Sequence, residues 1–202
     1  LSHDEVVHLK CSMINKMPGL GQDKFENLKA GYSYMFGHPG KKLLFMGQEF
    51  GQFQEWSEAR ELDWFLLQEP FNKGMHDYMS ELLQLYRKSP CLYEIDNDWL
   101  GFEWMNADDT ERSIYSFVRR TKDGKQHMLF VINMTPVEYP KYKVGVPMNT
   151  QYKLLLNSDE EKFGGNGNKI PKLIKAKKGL CDKRDYHIAF PLPPLTAVIF
   201  TF

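Results

Sequence analysis

The 202-residue sequence predicts an α/β segment followed by an all-β domain, an antiparallel β-sandwich. Two observations carry this. Up to about Gly101, apolar residues at helical spacing bracket one apolar run that does not alternate. Beyond it, short strand-like segments are separated by turn residues. The length allows a substantial core, and 42% hydrophobic with 26% charged residues excludes an intrinsically disordered tail.

Asp23 is expected to cap the first helix, with Glu26 completing a capping-box-like pair. Phe25, Leu28, Tyr32, Met35 and Phe36 follow at helical spacing until Gly37 and Pro39 stop the helix. The run Leu43, Leu44, Phe45, Met46 reads as a strand covered on both faces in a parallel sheet, and Gly47 ends it. Met75, Tyr78, Met79, Leu82, Leu83 and Tyr86 mark a second helix, finishing in Arg87, Lys88 and Pro90, where cations suit the C-terminus. Further on, residues 113–119 and 127–133 flank Asp123-Gly124 and read as a hairpin. Residues 151–156, 186–190 and 196–202 are further strands, with Pro and Gly clusters between them.

The zero net charge conceals an asymmetry. Residues 1–105 hold 10 Lys plus Arg against 16 Asp plus Glu, and residues 106–202 hold 16 against 10. Ordinary solvated faces account for this better than a polyanion partner. No apolar run approaches the ~20 residues of a membrane helix. Cys11, Cys91 and Cys181 have neither the even number of a disulfide framework nor metal-ligand spacing, and no charged region followed by an apolar stretch opens the chain. A cytoplasmic setting is expected.

The densest polar cluster is Ser2, His3, Asp4, Glu5 and His8. Taken alone, Ser2 and Glu5 form an S-x-x-E box opening a helix. Zinc is disfavoured because His3 and His8 would diverge by about 140° on a helix. A serine-protease triad is disfavoured because Ser2, His3 and Asp4 are sequence neighbours. Asp96, Asp98 and Gly101 begin like a calcium loop, but Leu100 and Ala107 stand at ligand positions. The FGGNG stretch at 163–167 lacks the Lys-Ser/Thr pair of a phosphate cradle and reads as a flexible loop. Lysines 169, 172, 175, 177 and 178 read as a solvated face rather than a nucleic-acid surface. Gln48 and Glu49 follow the apolar run directly, where α/β-barrel loops build active faces. Phe53, Trp56, Trp64 and Phe65 nearby could stack on sugars or pack the loop.

Five segments, in order, carry a resemblance: LSHDEVVHLKCSMINKMPG, HPGKKLLFMGQEFGQFQEW, GFEWMNADDTERSIYSF, NSDEEKFGGNG and PLPPLTAVIF. Together they resemble the bacterial 1,4-α-glucan (glycogen) branching enzymes of the α-amylase family of glycoside hydrolases, over essentially the whole chain. The first resembles the segment after that family's seventh barrel strand, the second its eighth strand and following loop. Leu9 departs from the family, where many members carry glycine. The resemblance implies that residues 1–105 are the C-terminal part of a (β/α)₈ barrel and residues 106–202 the all-β C-terminal domain. It implies cleavage of an α-1,4 bond and transfer of the chain to a 6-hydroxyl, with Asp4 as transition-state stabiliser and His3, Gln48 and Glu49 binding substrate. The family's nucleophile and general acid lie outside this sequence, so the isolated chain is expected to be inactive. No metal or other cofactor is implied. The expected partner is an α-1,4-glucan, with no nucleic acid and no membrane, and with self-association of the chain through exposed strand edges. A hydrolase or debranching relative and a non-catalytic glucan-binding module are the alternative readings.

Overall fold

The computed structural model describes all of residues 1–202. The first hundred residues contain three helices, α1 (Met13–Lys16), α2 (Gln22–Gly37) and α3 (Pro70–Lys88), joined by loops and short 3₁₀ turns. Nine strands follow: β1 (Phe102–Asn106), β2 (Ile114–Arg120), β3 (His127–Asn133), β4 (Tyr139–Val146), β5 (Gln151–Asn157), β6 (Leu173–Lys175), β7 (Lys177–Cys181), β8 (Arg184–Leu192) and β9 (Ala197–Thr201). All pairings are antiparallel. One sheet runs β1-β2-β3-β9-β5-β6 and the other β4-β8-β7.

The larger sheet is the middle of three layers. In β3, Met128, Phe130 and Ile132 pack with Leu28, Tyr32, Tyr78 and Leu82 of the helices. Leu129 and Val131, between them in sequence, pack with Val144, Ile188 and Phe190 of the smaller sheet. Strand alternation thus feeds both cores, and every residue of β3 is buried. The expected hairpin forms between β2 and β3, with Gly124 at a φ of 67° in its turn. The segments at 151–156, 186–190 and 196–202 are strands β5, β8 and β9.

The strand expected at 43–46 does not form. Residues 41–45 join no strand ladder, and Leu43 and Met46 are more than half exposed. A ladder needs a neighbouring backbone, and the first hundred residues contribute no strand to either sheet. The expected α/β rhythm is therefore helices and loops packed on β sheets. Asp23 does not cap α2 either: Gly21 stands at the cap with no side-chain bond. Glu26 instead enters a buried polar cluster, where its Oε1 accepts from Gln22 Nε2 at 2.8 Å and Asn166 Nδ2 at 2.9 Å. A carboxylate under a packed loop is satisfied by donors from that loop.

The loop expected to be flexible is pinned. Asp159, 1% exposed, accepts from the amides of Asn166 and Asn168, each at 2.9 Å. Lys29 of α2 donates from Nζ to the carbonyls of Ser158 at 2.8 Å and Phe163 at 2.9 Å. A Cβ on Gly165 would lie 2.3 Å from the Asp159 carbonyl oxygen, so the close approach requires glycine. The five lysines between 169 and 178 are exposed along the adjoining loop and β6 and β7, a solvated face.

Burial pushes the Lys29 ammonium down to about 8 from 10.5, against the attraction of Glu26 and Asp159. Between those two values the unfolded lysine keeps its proton and the folded one does not, so stability rises with pH through that window. Relative to Lys29→Met, the parent chain should therefore gain stability from about pH 8 to about pH 10. Urea unfolding of both proteins across that range tests this; a parent advantage that stays flat or shrinks contradicts it.

Candidate functional site

The polar cluster at the start of the chain forms one 3₁₀ turn, His3–Glu5, rather than the start of a longer helix. Ser2 Oγ accepts from the Asp4 amide at 3.3 Å, while Val6 and Val7 are buried and anchor the turn. His3 Nε2 lies 3.1 Å from Asp4 Oδ1, and both side chains face solvent, at 57% and 70% exposure. The His3 ring sits 5.9 Å from that of Phe45, which packs edge-on against Trp56 at 5.1 Å. The site is thus an open carboxylate beside an imidazole, above an aromatic floor.

Gln48 and Glu49 lie on a second 3₁₀ turn, Gln48–Phe50, between Gly47 and Gly51, both in left-handed conformations. The turn needs them: glycine adopts this region without the clash of a Cβ. Gln48 is 4% exposed, and its Oε1 accepts from the Phe45 amide at 3.1 Å. Its Nε2 is buried with no protein partner. Gln48 lines a small cavity with Val6, Ser12, Gln52 and Trp56. Glu49 is half-buried. The Gln48 carbonyl accepts from the Tyr32 hydroxyl at 3.2 Å, and burial with the nearby Glu49 charge pushes that phenol well above its ordinary pKa. The fold leaves His3 and Asp4 together at the surface and turns Gln48 inward, against the Phe45 backbone.

Sequence reasoning missed the brace behind this turn. Glu55 accepts from the Leu9 amide through Oε2 at 3.0 Å and from the Cys11 amide through Oε1 at 2.6 Å. His8, Leu9 and Cys11 have φ of 58°, 63° and 69°, a left-handed region that costs an L-residue about 1–2 kcal/mol. The one visible signal was Leu9 itself, where the resemblance implied glycine. Glu55 itself is more than forty residues away in sequence, with nothing local to mark its role.

An ionised Asp4 can only accept hydrogen bonds, and it can stabilise positive charge developing nearby. No group of three or more His, Cys, Asp or Glu side chains converges in a way that could hold a metal ion, and no helix is long and apolar enough to cross a membrane.

Residues 104–202 match the model of the alpha amylase C-terminal all-beta domain family. The whole chain is homologous to 1,4-alpha-glucan branching enzymes, so the relationship extends to the His3–Asp4 segment. It is 63% identical over 202 residues to 1,4-alpha-glucan branching enzyme GlgB of Butyrivibrio fibrisolvens, covering 100% of this chain and 32% of that protein. It is 47% identical over 193 residues to the GlgB of Geobacillus stearothermophilus, covering 96% of this chain and 30% of that protein. The chain spans about a third of the length of these curated relatives. Among solved structures, the fold resembles a Nostoc punctiforme debranching enzyme, with a TM-score of 0.61 and 16% identity over 89% of this chain and 32% of that one. It also resembles an AmyP variant in complex with maltotriose, with a TM-score of 0.62 and 16% identity over 93% of this chain and 36% of that one.

Proposed function

We propose that the chain is the C-terminal part of a 1,4-α-glucan branching enzyme, with residues 1–105 completing a (β/α)₈ barrel and residues 106–202 forming its C-terminal domain. In the reaction, a carboxylate nucleophile displaces the leaving chain of an α-1,4 bond and forms a covalent glycosyl-enzyme, while an acid protonates the departing oxygen. A 6-hydroxyl of a second glucan then attacks the anomeric carbon, giving up its proton to the former acid and freeing the nucleophile. On this reading the nucleophile and acid come from barrel strands outside these 202 residues. Asp4 accepts hydrogen bonds from ring hydroxyls and opposes the positive charge that develops at the anomeric carbon, and His3 donates to the same sugar. Gln48 supports the site from below through its bond to the Phe45 amide, and Glu49 lies on the same turn.

The observation that carries the reading is the solvent-facing His3–Asp4 pair, in a chain homologous to branching enzymes from end to end. The partner is then an α-1,4-glucan, and the chemistry uses no cofactor. On this reading residues 41–45 pair between neighbouring barrel strands in the whole enzyme, and in the isolated chain, where they join no ladder, they offer a surface for self-association.

A graft tests this: the 202 residues replace the corresponding third of the Butyrivibrio fibrisolvens enzyme, and the product is incubated with amylose. The graft should form new α-1,6 linkages, seen as anomeric proton signals, with little release of reducing ends. The chain alone should form none, and should show oligomers by light scattering. A folded graft that only releases reducing sugars would assign the chain to a hydrolase or debranching relative. A folded graft with no action on amylose would leave a glucan-binding module as the better reading.

A further inference from the structure

We propose that Glu55 is a positioning residue for Asp4, holding the turn after Asp4 in a backbone geometry it would not keep unaided. The inference rests on the role given to Asp4 above. His8, Leu9 and Cys11 all occupy the left-handed region without being glycine. Leu9 is 95% exposed, so no packing of its side chain holds it there. What does hold it is the Glu55 carboxylate, whose two oxygens each take one amide, those of Leu9 and Cys11.

The rest of the loop carrying Glu55 is fastened to the same segment. The Trp56 amide donates to the Val6 carbonyl at 3.2 Å. The Phe53 carbonyl accepts from Ser12 Oγ at 2.8 Å and Asn15 Nδ2 at 2.7 Å. Arg60 donates to the Gln54 side chain and the Glu55 carbonyl, tying the loop to itself. From the turn, Lys10 reaches back and donates from Nζ to the Asp4 carbonyl at 2.9 Å. A continuous set of bonds therefore runs from Glu55 through residues 9–11 to the Asp4 backbone. The Asp4 side chain itself has only Ser2 and His3 for company, so its position follows that of its backbone. Both Glu55 oxygens are occupied by protein amides, so Glu55 acts through the turn and does not touch sugar.

Losing the clamp frees Leu9 and its neighbours to return to negative φ, carrying Lys10 and the Asp4 backbone with them. Misplacing a catalytic group by about 1 Å can cost about a hundredfold in rate. Because the contact with Asp4 matters most in the transition state, the loss should fall on kcat rather than KM. Glycine is at home in the left-handed region, so Leu9→Gly should restore a turn that has lost Glu55.

In the graft, Glu55→Ala should lower kcat about 10–100-fold with KM for amylose changed by less than about threefold. Adding Leu9→Gly should recover most of the loss, and Leu9→Gly alone should match the parent. In the 202-residue chain, Glu55→Ala should speed amide exchange at Leu9 and Cys11 at least about tenfold while α2 and α3 keep their protection. A parent-like kcat in Glu55→Ala, or a double variant no better than Glu55→Ala, overturns the inference. Asp4→Asn run alongside separates the two claims. If it is inactive while Glu55→Ala is fully active, only the positioning role fails; if it is fully active, the reading of Asp4 itself fails.

Discussion

Arg119→Met should destabilise the 202-residue chain by about 3–5 kcal/mol, the usual cost of removing one member of a buried charge pair. The Arg119 side chain is fully buried on β2 and makes four bonds in different directions. Nε donates to the Gly101 carbonyl at 3.0 Å, and one terminal nitrogen to the Gly37 carbonyl at the end of α2 at 2.9 Å. The other donates to the Ile95 carbonyl at 3.3 Å and Asp96 Oδ1 at 3.1 Å. Methionine keeps much of the apolar contact but leaves three carbonyls without this donor and strands Asp96, whose remaining partner, Lys41, is a surface lysine at 3.3 Å. Arg119→Lys should recover little, because a single ammonium cannot replace a planar fork. Urea unfolding should show the loss, and thermal unfolding a fall in Tm of roughly 10 °C. A loss below about 1 kcal/mol, the scale of an exposed ion pair, would contradict this account.

The same residue shows what the sequence could and could not disclose. The hairpin was legible because Asp123-Gly124 and the alternation around it are local signals. So was α3, where Pro70 starts the helix and the apolar stripe from Met75 to Tyr86 lies on one face. Arg119 reads as one more charged residue on a strand, because its partners come from residues 37, 95, 96 and 101. Strand β4 was missed because Pro140 and exposed Lys141 and Lys143 mask its buried Tyr142 and Val144. The run at 43–46 has the composition of a buried strand, yet strand formation depends on neighbours that composition does not supply. At the candidate site, His3 and Asp4 stood out because they are adjacent in a polar cluster and in the resemblance. Glu55 was hidden because its role is set by φ angles at residues 8, 9 and 11, and these appear only once the backbone is placed.

The central claim is that the Asp4 charge does chemical work on a sugar, and the kinetics of Asp4→Asn in the graft test it most directly. Asparagine keeps the size of the side chain and can still hydrogen-bond to hydroxyls, but it cannot offset positive charge at the anomeric carbon. Removing such preorganised stabilisation typically costs about 10²–10³ in kcat, or about 2.7–4 kcal/mol. KM should move little, because the sugar is uncharged in the ground state. Since the Asp4 side chain is 70% exposed, the substitution should leave the fold intact, and unchanged thermal unfolding would confirm that the lost rate is chemical. The account predicts a folded Asp4→Asn graft that forms α-1,6 branches at least about a hundredfold more slowly than its parent. Branching within threefold of the parent rate, on an equally stable protein, would contradict it.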